Sequence, residues 1–267
     1  MKIAIGVLCV LLCLSTLLFV SAIKSPAQVI VATSREQAIQ DLVYANHILY
    51  NEGVLDAFGH ISVRDPQDPG RFYLSRSLAP SQVTTRDIQQ YDTQCNTISG
   101  NAASYLERYI HCAIYRARPD VNVIIHAHSP SLISFGVTKT SLRPVFHLAG
   151  WMGTGGVPVF DIRNVAPDTD LLVSNNMLGD ALAKALANGP IVLMRGHGEI
   201  IVGASISQAV VHAYYAAVNA KMQSDAMRLG NVTYLTPGEA AAAAKINDAA
   251  TIGRAWDLFK LRADKIE

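Results

Sequence analysis

Two periods alternate along the chain. After Ser34-Arg35-Glu36-Gln37, the apolar residues Ala38, Ile39, Leu42, Val43 and Ala45 recur at helical spacing, with Ser as the cap and Gln at the third helical position. Residues 60–64 and 71–75 read as short strands around the turn-forming run Asp65-Pro66-Gln67-Asp68-Pro69-Gly70. The helical period returns over 104–116. A buried strand follows at 121–127, and strands are expected at 145–148 and 157–160. A helix over 176–187 ends at Asn188-Gly189-Pro190, and strands at 191–194 and 199–202 flank Gly196-His197-Gly198. A long helix covers 206–228. Thr236-Pro237-Gly238-Glu239 opens another with a capping box and Pro at its first position, and a last helix carries Trp256 and Phe259. These two C-terminal helices are expected either to close a neighbouring subunit's site or to pack on the core. Strands and helices interleave without internal repeats, so residues 23–267 are expected to form a single α/β or α+β domain.

Residues 1–22 have a different pattern. Lys2 precedes an apolar run from 3 to 20, broken only by Gly6, Ser15 and Thr16, and Val20-Ser21-Ala22 closes it. That is the pattern of a secretory signal peptide cleaved after Ala22; the alternative is an uncleaved membrane anchor. The expected location is secreted or periplasmic, with no membrane association once the segment is cleaved. Cleavage removes Lys2 and no acid, leaving 21 basic against 21 acidic residues. Only Cys95 and Cys112 remain, too few for a disulfide framework. Half of the 267 residues are hydrophobic, which excludes a disordered chain, and a net charge of +1 excludes the cationic excess of a nucleic-acid binder.

Histidines carry the candidate chemistry. In His126-Ala127-His128, at the end of a strand, the period of two puts both imidazoles on one face. His197 lies between glycines that let the backbone approach and aim one imidazole inward. Three neutral imidazoles leave an open position on a divalent ion, the catalytic pattern; the alternative is a chance pair of polar residues at a strand end. Glu107 and His111, spaced i, i+4 on a helix, are expected to share a face and pass a proton, or else to be an ordinary exposed pair. Cys112 reads as a buried helix residue rather than a nucleophile. Asn231-Val232-Thr233 is a glycosylation sequon, relevant only in a eukaryotic secretory pathway.

Taken in order, Gly59-His60-Ile61-Ser62-Val63-Arg64, Glu107 with His111, Tyr115-Arg116-Ala117-Arg118-Pro119-Asp120-Val121 running into His126-Ala127-His128-Ser129-Pro130, and Arg195-Gly196-His197-Gly198 resemble the class II aldolase/adducin family. The resemblance covers most of residues 35–230. It implies a three-layer α/β/α fold with a mostly antiparallel central sheet, assembled as a homotetramer with sites at subunit boundaries. It makes His126, His128 and His197 the ligands of one divalent ion per chain, with Zn first and Mn, Co or Fe as alternatives, and Glu107 the acid/base residue close to it.

In the family's sugar-phosphate aldolases a Gly-Asn pair, a Ser-Gly pair and two serines hold the phosphate. Here those positions read Gly59-His60, Arg76-Ser77 and Tyr105-Leu106. His60 and Arg76 suit a carboxylate, and Tyr105 and Leu106 a planar or conjugated acid. The pattern, with Arg143-Pro144-Val145-Phe146-His147 and Asp161-Ile162-Arg163, is similar to the decarboxylating branch: hydroxypyridine-dicarboxylate and carboxy-hydroxymuconic semialdehyde decarboxylases. The resemblance therefore implies a lyase that decarboxylates a small hydroxy-substituted aromatic or conjugated carboxylate through a metal-stabilised enolate. His60, Arg76, Ser77 and Tyr105 would bind the substrate, His147 and Arg163 either bind it too or are structural strand-end residues, and Glu107, with His111, would deliver the proton. Beside apolar Leu106, Glu107 is expected to have a raised pKa. The alternatives are an aldolase or epimerase acting on a small hydroxyaldehyde or sugar acid, metal-dependent oxygenase chemistry, and a non-enzymatic adducin-like interaction module, which predicts degraded ligands.

Overall fold

The computed structural model describes residues 34–264; the expected signal segment lies outside the described residues. The chain begins with helix α1 (Arg35–Asn51), followed by strands β1 (His60–Asp65), β2 (Asp68–Ser75), β3 (Ile88–Asp92) and β4 (Thr97–Ser99). Helix α2 (Arg108–Ala117), strand β5 (Val123–Ala127), helix α3 (Pro130–Gly136), the short strand β6 (Val159–Phe160) and helix α4 (Asn176–Leu186) come next. Strands β7 (Ile191–Met194) and β8 (Gly198–Gly203) then lead into helices α5 (Ile206–Leu229), α6 (Pro237–Ala250) and α7 (Ile252–Ala263).

The strands form one eight-stranded sheet in the order β4-β3-β2-β1-β5-β8-β7-β6. Every neighbouring pair is antiparallel except β6 and β7. The pleat divides the core into two. Val123, Ile125 and Ala127 of β5 face one side and pack with Leu42 of α1, Leu132 of α3 and Val210 of α5. Ile124 faces the other and packs with Ile110 of α2 and Leu182 of α4. Helices on both faces of a mostly antiparallel sheet are the three-layer arrangement that the resemblance implied. Among the described residues no helix is long and apolar enough to cross a membrane.

The local signals act largely as expected. The Ser34 hydroxyl accepts from the Gln37 N–H at 3.2 Å, although the Gln37 side chain turns to Asp41, and Thr236 and Glu239 close a reciprocal capping box. Helix α7 buries Ile252, Trp256 and Phe259 in the core, while α6 packs against the short 3-10 helix His147–Met152.

Three expectations need correction. Strands β1 and β2 run further than their patterns, leaving only Pro66 and Gln67 between them. The helix expected from residue 104 starts at Arg108, with Glu107 at its cap position and the Tyr105 hydroxyl donating back to the Leu78 carbonyl. No strand forms at 145–148. The amides of Asn219 and Gln223 on α5 satisfy the backbone of that segment instead, through Val145 N–H, Arg143 N–H and Arg143 C=O, each at 2.9 Å. Cys112 is buried, as read, and is bonded to Cys95, which ties the β3–β4 hairpin to α2.

Candidate metal centre

Register brings the histidines together. His60 opens β1 and stands opposite His126 near the end of β5, and Ala127 stands opposite Glu199 near the start of β8. The turn between β7 and β8, which carries His197, therefore lies at the same end of the three central strands. Gly196 has φ +67°, and a Cβ on Gly198 would lie 2.1 Å from the Ala127 carbonyl oxygen. Glycine is thus required on both sides of His197.

Three imidazoles and one carboxylate converge here. The Nε2 atoms of His126 and His128 are 3.1 Å apart, and Oε2 of Glu107 lies 3.4 Å from Nε2 of His126 and 3.3 Å from Nε2 of His197. One ligand atom from each of the four residues lies within 4.8 Å of the others. Ligands at about 2.0–2.1 Å from a tetrahedral ion stand roughly 3.3 Å apart, so this donor set fits a small divalent ion.

The other nitrogen of each ring is held. His126 Nδ1–H donates to the Glu199 carbonyl at 3.1 Å and His197 Nδ1–H to the Leu171 carbonyl at 2.8 Å. His128 Nδ1–H donates to both oxygens of the Asp56 carboxylate, each at 3.1 Å. These partners fix the tautomers that leave Nε2 bare for a metal. Oε1 of Glu107 accepts the Val173 N–H at 2.9 Å, so one loop braces both Glu107 and His197.

The expected raised pKa of Glu107 is not found. Burial pushes its carboxyl up, but hydrogen bonds and charge interactions with His126 and His197 outweigh that and hold it well below the usual carboxylate range. Leu106 is 53% exposed and gives it no apolar cover. Glu107 and His111 do not form the expected proton-passing pair either, because residue 107 precedes the helix and its carboxylate is taken up elsewhere. His111 instead bridges Nδ1 of His60 at 2.7 Å and the Ser62 hydroxyl at 2.6 Å, and Ser62 continues to the Tyr115 hydroxyl at 2.9 Å. Burial, reinforced by His126, pushes His111 down to about 3, and burial with His111 also lowers His60. Both rings are neutral.

The remaining predicted residues divide. The ring of Tyr105 lies 4.5 Å from that of His60, covering a histidine that is itself almost fully buried. Arg76, next along, gives Nε to Asp87 at 2.7 Å, and its terminal nitrogens make no hydrogen bond among the described residues. Ser77 is exposed, and its N–H donates to the Ala103 carbonyl. Arg163 is exposed and, with Arg195, bound to Asp161 behind the β7–β8 turn. His147 is not brought to the cluster within this chain: with no strand at 145–148 it opens the 3-10 helix beside α6, where its carbonyl accepts from Asn247.

Asp56, Leu171, Val173 and the Ser62–Tyr115 link escaped the sequence reading. Asp56 left a local trace: it accepts from the N–H groups of Phe58 and Gly59, the Asx turn that Asp56-Ala57-Phe58-Gly59 permits. Leu171 left none, since a leucine at φ +72° is not marked by its own residue type.

Comparison with known proteins agrees with this geometry. The chain is 36% identical over 205 residues to a protein named decarboxylase tropJ from Talaromyces stipitatus, covering 72% of this chain and 77% of that one. It is 30% identical over 191 residues to a 3,4-dihydroxyphthalate decarboxylase from Arthrobacter keyseri, covering 66% and 73%. An aldolase II superfamily protein from Pseudomonas syringae shares the fold with a TM-score of 0.72 at 18% identity, over 88% of this chain and 95% of that chain. Residues 40–224 match the family model of the class II aldolase and adducin N-terminal domain. The chain belongs to the class II aldolase and adducin family, and its relatives include named decarboxylases.

Proposed function

We propose that the protein is a metal-dependent carboxy-lyase that removes CO2 from a small aromatic or conjugated acid with a hydroxyl beside the departing carboxylate. One observation carries the reading: the Nε2 atoms of three histidines and the Glu107 carboxylate converge, each braced from behind. The decarboxylase names of the relatives support it. His126, His128 and His197 would hold one divalent ion, Zn first, with Mn, Co or Fe as alternatives, and Glu107 would stand beside it as the acid/base group. When bound, such an ion supplies a Lewis acid that stabilises negative charge on a substrate oxygen.

The chain's own groups do the rest. Ionised Glu107 takes the proton of the substrate hydroxyl at Oε2 and returns it to the ring carbon that bears the carboxylate. The carbon–carboxylate bond then breaks, its electron pair flows into the ring oxygen, CO2 leaves, and a solvent proton restores the hydroxyl. The free terminal nitrogens of Arg76, oriented by Asp87, hold a second carboxylate. Tyr105, packed against His60 at 4.5 Å, would border a planar substrate. The same reading has residues 1–22 removed on export, consistent with a disulfide formed in an oxidising compartment, and four copies assembling.

The test is metal content after reloading with Zn or Mn, followed by a screen of hydroxy-substituted phthalates and benzoates beside small hydroxyaldehydes and sugar acids. CO2 release from the acids, with Glu107→Gln lowering turnover by about 10²–10⁴-fold while still binding metal, is expected. Cleavage of the hydroxyaldehydes or sugar acids alone would establish the aldolase reading instead. A protein that binds no metal would be an interaction module.

A further inference from the structure

We infer that Asn231 is a site of N-linked glycosylation, its side-chain amide carrying an oligosaccharide that stands off the end of α5. The inference rests on the export reading above, taken through a eukaryotic secretory pathway, and the experiment separates the two.

Asn231-Val232-Thr233 is the one Asn-x-Ser/Thr triplet in the sequence, and its middle residue is not proline. A sequon is used only where the asparagine can be reached, and here the backbone presents it. The 24-residue helix α5 stops at Gly230, whose φ of +151° turns the chain out of the helix, and residues 231–236 have no regular structure. Asn231 and Thr233 are both exposed, and the Asn231 amide makes no hydrogen bond among the described residues. The tether behind them is firm. Leu235 N–H donates to the Pro144 carbonyl at 3.2 Å, Gln223 donates to the Tyr234 hydroxyl at 3.2 Å, and the Arg143 guanidinium covers the Tyr234 ring at 4.2 Å. The triplet is thus held outward between a helix end and an anchored tyrosine.

The adjoining surface suits a sugar. Met222, Ala226 and Leu229 of α5 line a shallow groove with Val145 and the triplet itself, and Leu229 is 91% exposed. A glycan rooted at Asn231 would lie over this apolar groove and shield it from water and from other chains. None of these residues belongs to the metal centre, so the modification leaves the chemistry untouched. In the transfer, Nδ2 of Asn231 bonds to C1 of an oligosaccharide carried on a lipid pyrophosphate. The C1–oxygen bond to the pyrophosphate breaks, the lipid pyrophosphate leaves with that electron pair, and the amide proton passes to solvent.

The experiment is secretion of the full chain, with its own residues 1–22, from yeast cells, followed by peptide mass spectrometry of protein from the medium. A mass excess removed by peptide-N-glycosidase, which converts residue 231 to Asp, is expected. Asn231→Gln should be secreted in similar amount, bind metal equally and lack the excess. Protein from the medium with an unmodified Asn231 would overturn the inference. Protein retained inside the cell with residues 1–22 intact would overturn the export reading, and the glycosylation with it.

Discussion

At the residue scale, the groups behind the candidate ligands matter as much as the candidate ligands themselves. Asp56 holds His128 through a charge-assisted bond, the arrangement that fixes a metal-binding imidazole and raises its basicity. Asp56→Asn keeps an oxygen for the Asx turn but removes the charge, and metal affinity should fall about 10–100-fold in a chelator competition, with the circular dichroism unchanged. Glu199 shapes the pH response of the metal-free fold. Burial pushes its carboxyl up to about 8 from an ordinary 4.5, so across that window the folded chain keeps a proton that the unfolded chain has released. Its contribution is complete below the unfolded value and is lost as pH rises through the folded one. His111 acts at the other end: it stays neutral down to about 3, whereas the unfolded imidazole protonates below 6.5, so stability falls as pH drops through that window. Urea midpoints on metal-free protein should therefore decline on both sides of mildly acidic pH. Glu199→Gln, which mimics the neutral acid, should flatten the alkaline limb; parallel limbs in the two proteins would show that Glu199 is not the group responsible.

At the scale of elements, the site depends on how closely two strand ends approach. A methyl group on Gly198 would meet both the Ala127 carbonyl oxygen at 2.1 Å and His128 Cδ2 at 3.0 Å, so strands β5 and β8 would have to part where the ligands converge. Gly198→Ala should lower stability by at least about 1–3 kcal/mol and weaken metal binding, whereas Gly155→Ala, whose added methyl meets nothing within 4 Å, should change neither. Thermal unfolding and a metal titration of the two variants make the comparison. The late start of α2 matters for the same reason. Had the helix begun at residue 104, Glu107 would sit inside a regular turn; at the cap position its carboxylate is free to reach the Val173 N–H and the two imidazoles.

For the whole molecule, the Cys95–Cys112 bond joins the outer hairpin of the sheet to the helix that follows Glu107. With 17 residues of separation it restricts the unfolded chain by about 3 kcal/mol. Mild reduction should lower the unfolding midpoint by a corresponding amount, read by denaturant titration with and without dithiothreitol. An unchanged midpoint on complete reduction would mean that the packing of α2 against α4 and the sheet suffices alone.

Most helices, the central strands and the three histidines were legible in the sequence because each depends on local rules. Caps, helical spacing and the two-residue period place His126 and His128 on one face whatever the rest of the chain does. Gly-His-Gly was legible because glycine marks a backbone that needs φ above zero or close approach. What surrounds those residues was decided by tertiary structure. The strand expected at 145–148 gave way to side-chain amides from a helix more than 70 residues later. The pKa of Glu107 was decided by imidazoles from other elements, not by its neighbour Leu106. Leu171 and Val173 became part of the site only through chain crossings that no local pattern encodes, and Asp56, although its Asx turn is local, meets His128 only across the fold. A period or a cap is a property of a few adjacent residues; a hydrogen bond that orients a ligand or fixes a charge joins residues that only the folded chain makes neighbours.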